Sequence, residues 1–352
     1  MKYFFILLFI TVFSACTNTT RNNKVYNSPK EVEFPDHADD KYNYNKLILS
    51  DLTLDYPDDL GYFHTEIFIR SLKIIHGNFT DITPLANLHF LEELHIERSI
   101  IEDITPIYVL TKLKKLYLRV NNLGDFDLSP LAELINLEEL YLSVNNNDIS
   151  SFSTLVKLKK LVLDGPVKYN GILPFSALSN LQELSISHHG VDNTLTELLP
   201  LQKLETLRIL VFHPEFDISN IAQLHTLKEL AVFSVNKYFQ IKNINSIKNL
   251  VNLEVFEIKN NGNIDLSFVR PLKNLHTLGL QNSIINDISP LLDLPNLTEL
   301  NLWYSTVRDF SPLINSPSIK RITGFMWDDA HETVNQKFEE QDVEFWAVSF
   351  DR

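Results

Sequence analysis

Two histidine-containing segments are candidates for a zinc site. His331-Glu332-Thr-Val-Asn335 begins like the zinc motif HExxH, in which two histidines share one helical face and the glutamate acts as a base. Asn335 stands in place of the second histidine, so the segment is interpreted as a polar surface. His188 and His189 are adjacent, but a metal needs at least one further ligand at a fitting distance. No metal site is predicted at either place.

The acidic and amide-rich segments are the next candidates for chemistry. The stretch from Asn260 to Asp265 has residue types that bind calcium but lacks the EF-hand spacing and its distal glutamate, so a tight turn is expected. Carboxylate pairs such as Glu92-Glu93 recur at one repeat position, which indicates that they lie in the solvated segment that leads into each strand. The sequence has no GxSxG and no phosphate loop. We therefore predict no catalytic residue, no cofactor and no enzymatic activity.

An internal repeat determines which side chains come together. Apolar residues recur every 21 to 26 residues at twelve key positions, which are Leu72, Leu94, Leu116, Leu140, Leu161, Leu184, Leu207, Leu230, Phe256, Leu278, Leu300 and Ile322. Around the second of these, Leu94 and Ile96 alternate with Glu93, His95 and Glu97. This period of two places the aliphatic residues on one face of a short strand. Each repeat therefore predicts one strand.

A second signal follows each strand by about twelve residues. It has the form Asp-x-Ser/Thr-Pro and begins at Asp81, Asp103, Asp287 and Asp309. We expect the Ser or Thr side chain to cap a helical turn, and proline suits its first position because it has a preset φ and no N–H. Leucines further along the turn should point back to the strand layer, as in Leu88, Leu110 and Leu294. The signal predicts a short helix or 3₁₀ turn.

A repeat of roughly 20 to 29 residues with this pattern resembles the bacterial leucine-rich repeat, and the DISPL form of its second half resembles the internalin type. The resemblance extends from about Ile69 to Ile322. It implies an α/β solenoid, a leucine-rich repeat horseshoe with parallel strands on the concave face and short helices, 3₁₀ turns or loops on the convex face. Such repeats must stack and be capped at both ends. The scaffold binds many unrelated partners, so it does not identify one.

The N-terminus has the form of a secretory signal. Lys2 precedes an apolar run from Tyr3 to Phe13, and Cys16, the only cysteine, follows shortly after it. The run is too short to be a stable membrane anchor. Its FSAC ending resembles a bacterial lipobox, although Phe13 stands where leucine is usual. The resemblance implies that Cys16 is lipidated and becomes the new N-terminus; an ordinary secreted protein with a chance cysteine is the alternative.

Five regions are predicted along the chain. Residues 1–15 form the signal peptide, 16–45 the lipidated Cys16 with a flexible tether, 46–68 an N-terminal cap or degenerate repeat, 69–323 about twelve repeats and 324–352 a C-terminal cap. Thr17 after the cysteine implies sorting to the outer membrane or cell surface of a bacterial envelope. The net charge of −14 disfavours nucleic acid, because phosphate contacts need a basic stripe.

The outward side chains of the strands are the predicted contacts for a protein partner. They lie one before, one after and three after each key residue, and the candidates, with one in an adjacent loop, are His95, Lys115, Tyr117, Arg119, Tyr141, Leu210, Phe212, Phe233 and Trp303. Tyrosine and arginine are enriched at binding hot spots. In the alternative interpretation, Tyr117 and Tyr141 only stack on each other. In the same interpretation, irregular loops cover Leu210 to Phe233, and Trp303 packs on the C-terminal cap through Phe325.

Repeat length varies most between Leu140 and Phe256. The extra residues follow the strands, at 165–175, 188–199, 212–218 and 233–244. Insertions of this kind gather on one edge and often form part of a binding face. Drift in a tolerant loop explains them equally well.

Two functions follow from these patterns. The first is a lipid-anchored envelope protein that recognises another protein, as in adhesion or host interaction, through its concave face and adjacent loops. The second is a structural envelope lipoprotein that spaces or organises its neighbours. Mutations of the face should matter more in the first case, and deletion of the tether in the second.

Membrane attachment provides a direct test of the lipobox. The Cys16→Ser variant cannot accept a lipid, so we expect it to move from the membrane pellet to the aqueous fraction in detergent phase separation. A Thr17→Ser variant is the control and should stay with the membrane. A Cys16→Ser protein that remains in the membrane fraction would show that lipidation is not the anchor.

Overall fold

In the computed structural model the described residues are 48–55, 60, 63, 68–120, 127–143, 147–168, 174–188, 194–314, 316–326 and 332–348. The strands are β1 Ile48–Asp55, β2 Phe68–Ile75, β3 Glu93–Glu97, β4 Lys115–Arg119, β5 Glu139–Ser143, β6 Asn147–Asp148, β7 Lys160–Lys168, β8 Glu183–His188, β9 Thr206–Val211, β10 Glu215–Asp217, β11 Glu229–Ser234, β12 Gln240–Lys242, β13 Val255–Ile264, β14 Thr277–Ile285, β15 Glu299–Val307, β16 Arg321–Met326 and β17 Glu344–Val348.

Short 3₁₀ helices connect most of these strands. They span Thr83–Asn87, Thr105–Val109, Ser129–Glu133, Ser150–Thr154, Pro174–Ala177, Thr196–Leu198, Ile221–Gln223, Ile244–Asn249, Leu266–Val269, Ser289–Asp293 and Ser311–Leu313. One α-helix, α1, spans Glu332–Glu339. Within the described part of the chain, no helix combines the length and hydropathy needed to cross a membrane.

The strands form one parallel sheet in which neighbours follow the chain. Its order is β1-β2-β3-β4-β5-β7-β8-β9-β11-β13-β14-β15-β16-β17, with β6 beside β7, and β10 and β12 form a separate pair. The twelve key residues occupy one column, since each is directly opposite the next in the adjacent strand. Leu52 and Phe345 extend this column at the two ends. The predicted leucine-rich repeat solenoid is confirmed.

Alternation along each strand separates the core from the opposite side of the sheet. In β3, Leu94 and Ile96 are fully buried, Glu93 is exposed, and His95 and Glu97 are half-buried. All twelve key residues are buried to at least 99%. Burying one such side chain stabilises the fold by about 1.5–3 kcal/mol. Because each column position contacts the next, this stabilisation depends on continuous stacking.

The 3₁₀ turns begin as predicted, but a different side chain holds them. Proline occupies the first or second position of the turns beginning at Thr83, Thr105, Ser129, Ser289 and Ser311. The prediction that Ser or Thr side chains cap these turns is wrong. The aspartate two residues earlier accepts the Ser or Thr backbone N–H, as in Asp81 Oδ1 to Thr83 N at 2.8 Å.

This aspartate turn recurs in eight repeats, at Asp81, Asp103, Asp127, Asp148, Asp217, Asp265, Asp287 and Asp309. A short carboxylate reaches the N–H two residues on without leaving its own turn. Hydrogen bonds from Thr83 hold the pKa of Asp81 below its ordinary value. The aspartate of the repeat signal therefore has a local structural role.

Side chains also connect consecutive repeats at the approach to the strands. Asn136 donates from Nδ2 to the Thr111 carbonyl at 2.8 Å, and Asn252, Asn274 and Asn296 make equivalent bonds in later repeats. The recurrent glutamates pair with lysines of the next repeat, as in Lys114 to Glu92 at 2.6 Å and Lys159 to Glu138 at 2.7 Å. These exposed pairs orient the approach and contribute little stability.

The segment from Asn260 to Asp265 is not the tight turn that its composition predicts. Asn260 to Ile264 belong to β13, which continues alongside β14 beyond a register shift between Lys259 and Gly262. Asp265 then makes the aspartate turn of the next 3₁₀ helix. The prediction was wrong because pairing with the neighbouring long strand outweighs the local turn preference.

Replacing one key leucine tests the column. Leu207 lies opposite Leu184 and Leu230 and is fully buried. We expect Leu207→Ala to lower the free energy of unfolding in urea by about 2–5 kcal/mol through lost burial and a residual cavity. Leu292→Ala, at a leucine that is 52% exposed, should change it by less than about 0.5 kcal/mol. Equal effects would contradict the assigned core.

Candidate functional site

The outer face, defined here as the side of the parallel sheet opposite the key residues, presents three rows of side chains. The central row contains the residue after each key position in direct register: Lys73, His95, Tyr117, Tyr141, Val162, Ser185, Arg208, Ala231, Glu257, Gly279, Asn301, Thr323 and Trp346. Strand spacing places neighbours in such a row about 4.8 Å apart. The alternation places these residues opposite the buried key positions, although Ala231 is itself buried.

Three rings of the central row form a continuous stack. The Tyr117 and Tyr141 centroids are 3.9 Å apart with planes inclined by 14°, and the His95 and Tyr117 centroids are 5.0 Å apart at 12°. The ammonium of Lys160 lies 5.4 Å from the Tyr141 ring centre, within cation–π distance. The two tyrosines therefore stack on each other, and the stack extends to His95.

Charges alternate in the row beside the stack. Lys115 lies between Glu93 and Glu139, with Nζ to Oε1 distances of 3.5 and 3.3 Å, and Lys160 lies 2.5 Å from Glu183. Glu139, and then Glu93, raise the pKa of the Lys115 amine. Each lysine of this row is therefore paired with a neighbouring glutamate, and these ion pairs order the side chains that flank the rings.

Hydrogen bonds hold the rings in this arrangement. The Tyr117 hydroxyl donates to Glu139 Oε2 at 3.1 Å. Burial, followed by the neighbouring Tyr141 and Glu139, raises the pKa of the Tyr117 hydroxyl. His95 Nε2 lies 3.3 Å from Glu97 Oε2. Burial, together with the positive charge of Lys73, lowers the pKa of His95, so the neutral ring is favoured in the stack.

Arg119 is at the edge of this stack. Its guanidinium lies 3.3 Å from the Asp164 carboxylate, and its side chain remains 45% exposed. His95, Lys115, Tyr117, Arg119 and Tyr141 therefore occur together over three adjacent strands, β3 to β5. Their assignment as contacts for a partner remains a prediction.

The apolar candidates form a second group farther along the sheet. Leu210 in β9 lies directly opposite Phe233 in β11, and both side chains are half-buried. Phe212 follows β9 and is also half-buried. Each of the three side chains is therefore covered in part. What remains exposed is an apolar strip separate from the tyrosine stack.

Trp303 occupies the C-terminal part of the outer face. It is 41% exposed, and its ring centroid lies 6.0 Å from that of Tyr304. Gly324 of β16 approaches so closely that a Cβ there would be 2.8 Å from the indole Cγ. The side chain of Phe325 lies outside the described residues. Trp303 therefore packs on the adjacent strand through the glycine backbone and keeps one part of its ring accessible.

An acidic group in the middle of the central row was not predicted. Glu257 is half-buried, and its carboxylate lies over Gly279, since a Cβ at Gly279 would be 3.2 Å from Glu257 Oε1. Burial, and then the charge of Glu229, raise the pKa of Glu257, while Arg208 pairs with Glu229 at 2.5 Å. Glycine inside a strand signals such a close approach.

Several predicted residues fall outside what the structure describes. Cys16, His189 and His331 lie beyond the described residues, as does the side chain of His188. Among the described residues, no group of three or more His, Cys, Asp and Glu side chains is arranged to hold a metal ion.

Comparison with solved structures identifies the fold. The protein is similar to an internalin (inlF) from Listeria monocytogenes, with a TM-score of 0.56 and 21% identity over 86% of this chain and 83% of that chain. It is also similar to the functional domain of InlJ from Listeria monocytogenes, with a TM-score of 0.52 and 15% identity over 80% and 69% of the two chains. These likenesses support internalin-type leucine-rich repeats and concern the fold alone.

A TDR receptor structure is similar as well, with a TM-score of 0.55 and 18% identity. The match covers 86% of this chain and 55% of that chain. No protein-family model matches the chain, and no curated protein matches it either.

The tyrosine stack predicts an energetic coupling. In a double-mutant cycle of Tyr117→Ala and Tyr141→Ala, the coupling free energy of unfolding should be about 0.5–1.5 kcal/mol, the range for paired aromatic rings. Tyr117→Ala combined with Trp303→Ala is the control, and these distant changes should be additive within about 0.5 kcal/mol. Additive effects for the two tyrosines would refute a stabilising stack.

Proposed function

We propose that this protein is a cell-envelope-anchored recognition protein whose outer face and adjacent loops bind another protein, in adhesion or host interaction. The observation that carries the proposal is the stack of His95, Tyr117 and Tyr141 beside an ion-paired row of lysines and glutamates. The internalin-type fold supports a role in binding, and we assign no catalytic role.

The stack is suited to recognition because it is ordered before a partner arrives. Each ring packs against its neighbour, and the Tyr117 hydroxyl is held by Glu139. Immobilising a flexible side chain on binding costs about 0.5–1.5 kcal/mol, and rings already fixed avoid most of this cost. Tyrosine adds a large amphipathic contact area with few rotatable bonds.

The pairing of charges beside the rings also favours a specific complex. An unpaired charge buried under a partner is expensive, whereas Lys115 already lies between two carboxylates. A partner can therefore cover this part of the face without separating an ion pair. The half-buried Leu210 and Phe233 add an apolar strip that the same partner would reach along the sheet.

Anchoring through a lipidated Cys16, followed by the tether of residues 16–45, completes the proposal. It would display the repeats at the outer membrane or cell surface of a bacterium. The support is the sequence pattern of Lys2, the apolar run and Cys16. In this arrangement the envelope position supplies access to a partner, and the outer face supplies specificity.

The test begins with chemical crosslinking on intact cells to capture partners, which are then purified. A Tyr117→Ala/Tyr141→Ala/Phe233→Ala variant should bind the captured protein at least about 30-fold more weakly, the loss expected from hot-spot residues worth about 2 kcal/mol or more. The matched control is Phe90→Ala/Tyr108→Ala/Leu292→Ala, at exposed apolar residues outside the strands.

Retention of every partner by the first variant, or an equal loss in the control, would contradict the proposed face. The tether separates this function from that of a structural envelope lipoprotein. If shortening residues 17–45 abolishes crosslinking while the face variant does not, the structural role is favoured instead.

A further inference from the structure

One carboxylate of the outer face has no cation beside it. On this face from β2 to β17, nine carboxylates are described, and eight of them have a Lys, Arg or His nitrogen within 3.5 Å. The ninth is Glu257, in the central row. Among the described residues, no such nitrogen lies within 4.0 Å of its oxygens. Glu257 is therefore the one carboxylate of the described face that is not paired.

The two cations nearest to Glu257 in the strand register are engaged elsewhere. Arg208, two strands earlier in the central row, lies 2.5 Å from Glu229. Lys259, two residues later in β13, donates from Nζ to the Ser234 carbonyl at 2.6 Å. Burial, and then the charge of Glu229, raise the pKa of Glu257, while Arg208 offsets this only in part. A further cation beside Glu257 would stabilise its ionised form.

The sheet determines where this carboxylate lies. Gly279 is directly opposite Glu257 in the next strand, and a Cβ there would be 3.0 Å from Glu257 Cγ. The Glu257 side chain therefore lies flat over the glycine backbone and is half-buried. A carboxylate held against the sheet keeps a fixed position, so it is ordered before a partner arrives.

Two exposed aromatic rings lie on the same part of the face. Trp303 is 41% and Tyr304 is 44% exposed. Glu257, Gly279 and Asn301 are in direct register, and Trp303 follows two residues after Asn301. With about 4.8 Å between strands and about 3.3 Å per residue, the Cα atoms of Glu257 and Trp303 lie roughly 12 Å apart. Indole is the side-chain ring that attracts cations most strongly.

The Trp303 ring is available for such a contact. No lysine or arginine among the described residues lies over it, whereas Lys112 covers Phe90 and Lys160 lies near Tyr141. An unpaired carboxylate and an uncovered indole thus share one part of the outer face. Both groups are complementary to positive charge.

We propose that the partner of the outer face docks through an extended basic segment, in which one Lys or Arg pairs with Glu257 and a second lies over Trp303. This inference rests on the proposed function and specifies the chemistry of the partner. Side chains four residues apart in an extended segment point to the same side and lie about 13 Å apart, which matches the separation of the two groups. The net charge of −14 attracts such a segment over longer distances.

The unpaired carboxylate also discriminates against other partners. A neutral or acidic segment that covered Glu257 would remove water from a charge without replacing it by a cation, which is unfavourable. The ion-paired carboxylates of the same face impose no such requirement. Glu257 therefore selects the charge of the segment, while the tyrosine stack supplies contact area elsewhere on the face.

Saturation-transfer difference NMR with the full chain tests the segment directly. The probe is the acetylated and amidated heptapeptide GRGSGRG, whose arginines are four residues apart, and GQGSGQG is its uncharged counterpart. The arginine peptide should bind with a Kd in the millimolar range and at least about fivefold more tightly than the glutamine peptide. Its arginine side-chain protons should receive the strongest saturation.

Glu257→Gln removes the charge and keeps the shape of the side chain. It should weaken binding of the arginine peptide at least about fivefold, as expected for a charge-assisted hydrogen bond that solvent partly screens. The matched control is Glu133→Gln, at an exposed glutamate of a 3₁₀ turn, which changes the net charge equally and should weaken binding less than about twofold. Trp303→Ala should weaken it about two- to fivefold.

Thermal unfolding separates loss of binding from loss of structure. Glu257→Gln removes a half-buried charge that has no paired cation, so its Tm should not fall below that of the unchanged protein. The partner captured by crosslinking should then bind Glu257→Gln at least about fivefold more weakly, as the peptide does.

Equal weakening by Glu257→Gln and Glu133→Gln would overturn the inference, because net charge alone would then explain the attraction. Equal binding of the two peptides would overturn it as well. If the tyrosine variant loses the captured partner while Glu257→Gln retains it fully, the basic segment is wrong and the proposed function stands. If no partner is captured at all, the proposed function fails, and the inference that rests on it fails too.

Discussion

Parallel pairing in direct register is the constraint on which the rest of this protein depends. Each key residue lies opposite the next, so one buried column runs from Leu72 to Ile322 through twelve successive strands, and the register continues to Leu52 and Phe345 at the two ends. A shift of one residue in any strand would move its aliphatic side chains to the outer face. The same register brings residues more than twenty positions apart in the chain, such as Tyr117 and Tyr141, into direct contact.

The fold was predictable because its information is local and repeated. Alternation of Leu94 and Ile96 with polar neighbours specifies a strand, and its recurrence specifies a stack of strands. The outward positions follow from the same alternation, which is why Tyr117, Tyr141, Leu210 and Phe233 were correctly placed on the outer face. The stacking of the tyrosines followed from their equivalent positions. The hydrogen bond from the Tyr117 hydroxyl to Glu139 could be recognised only from the structure.

What the sequence did not reveal depends on pairing between segments or on which side chain accepts a free N–H. Ser and Thr are good helix caps, but here the acceptor is the aspartate two residues earlier, which takes the backbone N–H of the Ser or Thr itself, as Asp81 does. The Asn260 segment has the composition of a turn, yet pairing with β14 extends it. Glu257 lies over Gly279 one repeat later, a close approach that depends on the register of the two strands.

Nearest-neighbour stacking also explains how the repeats accommodate insertions. Each repeat contacts only its neighbours, so the insertions before and after β11 pair with each other as β10 and β12 while the column through Leu207, Leu230 and Phe256 stays in register. The outer face is built on that column and inherits its rigidity. The insertions therefore change the edge of the sheet without disturbing the register on which the outer face is built.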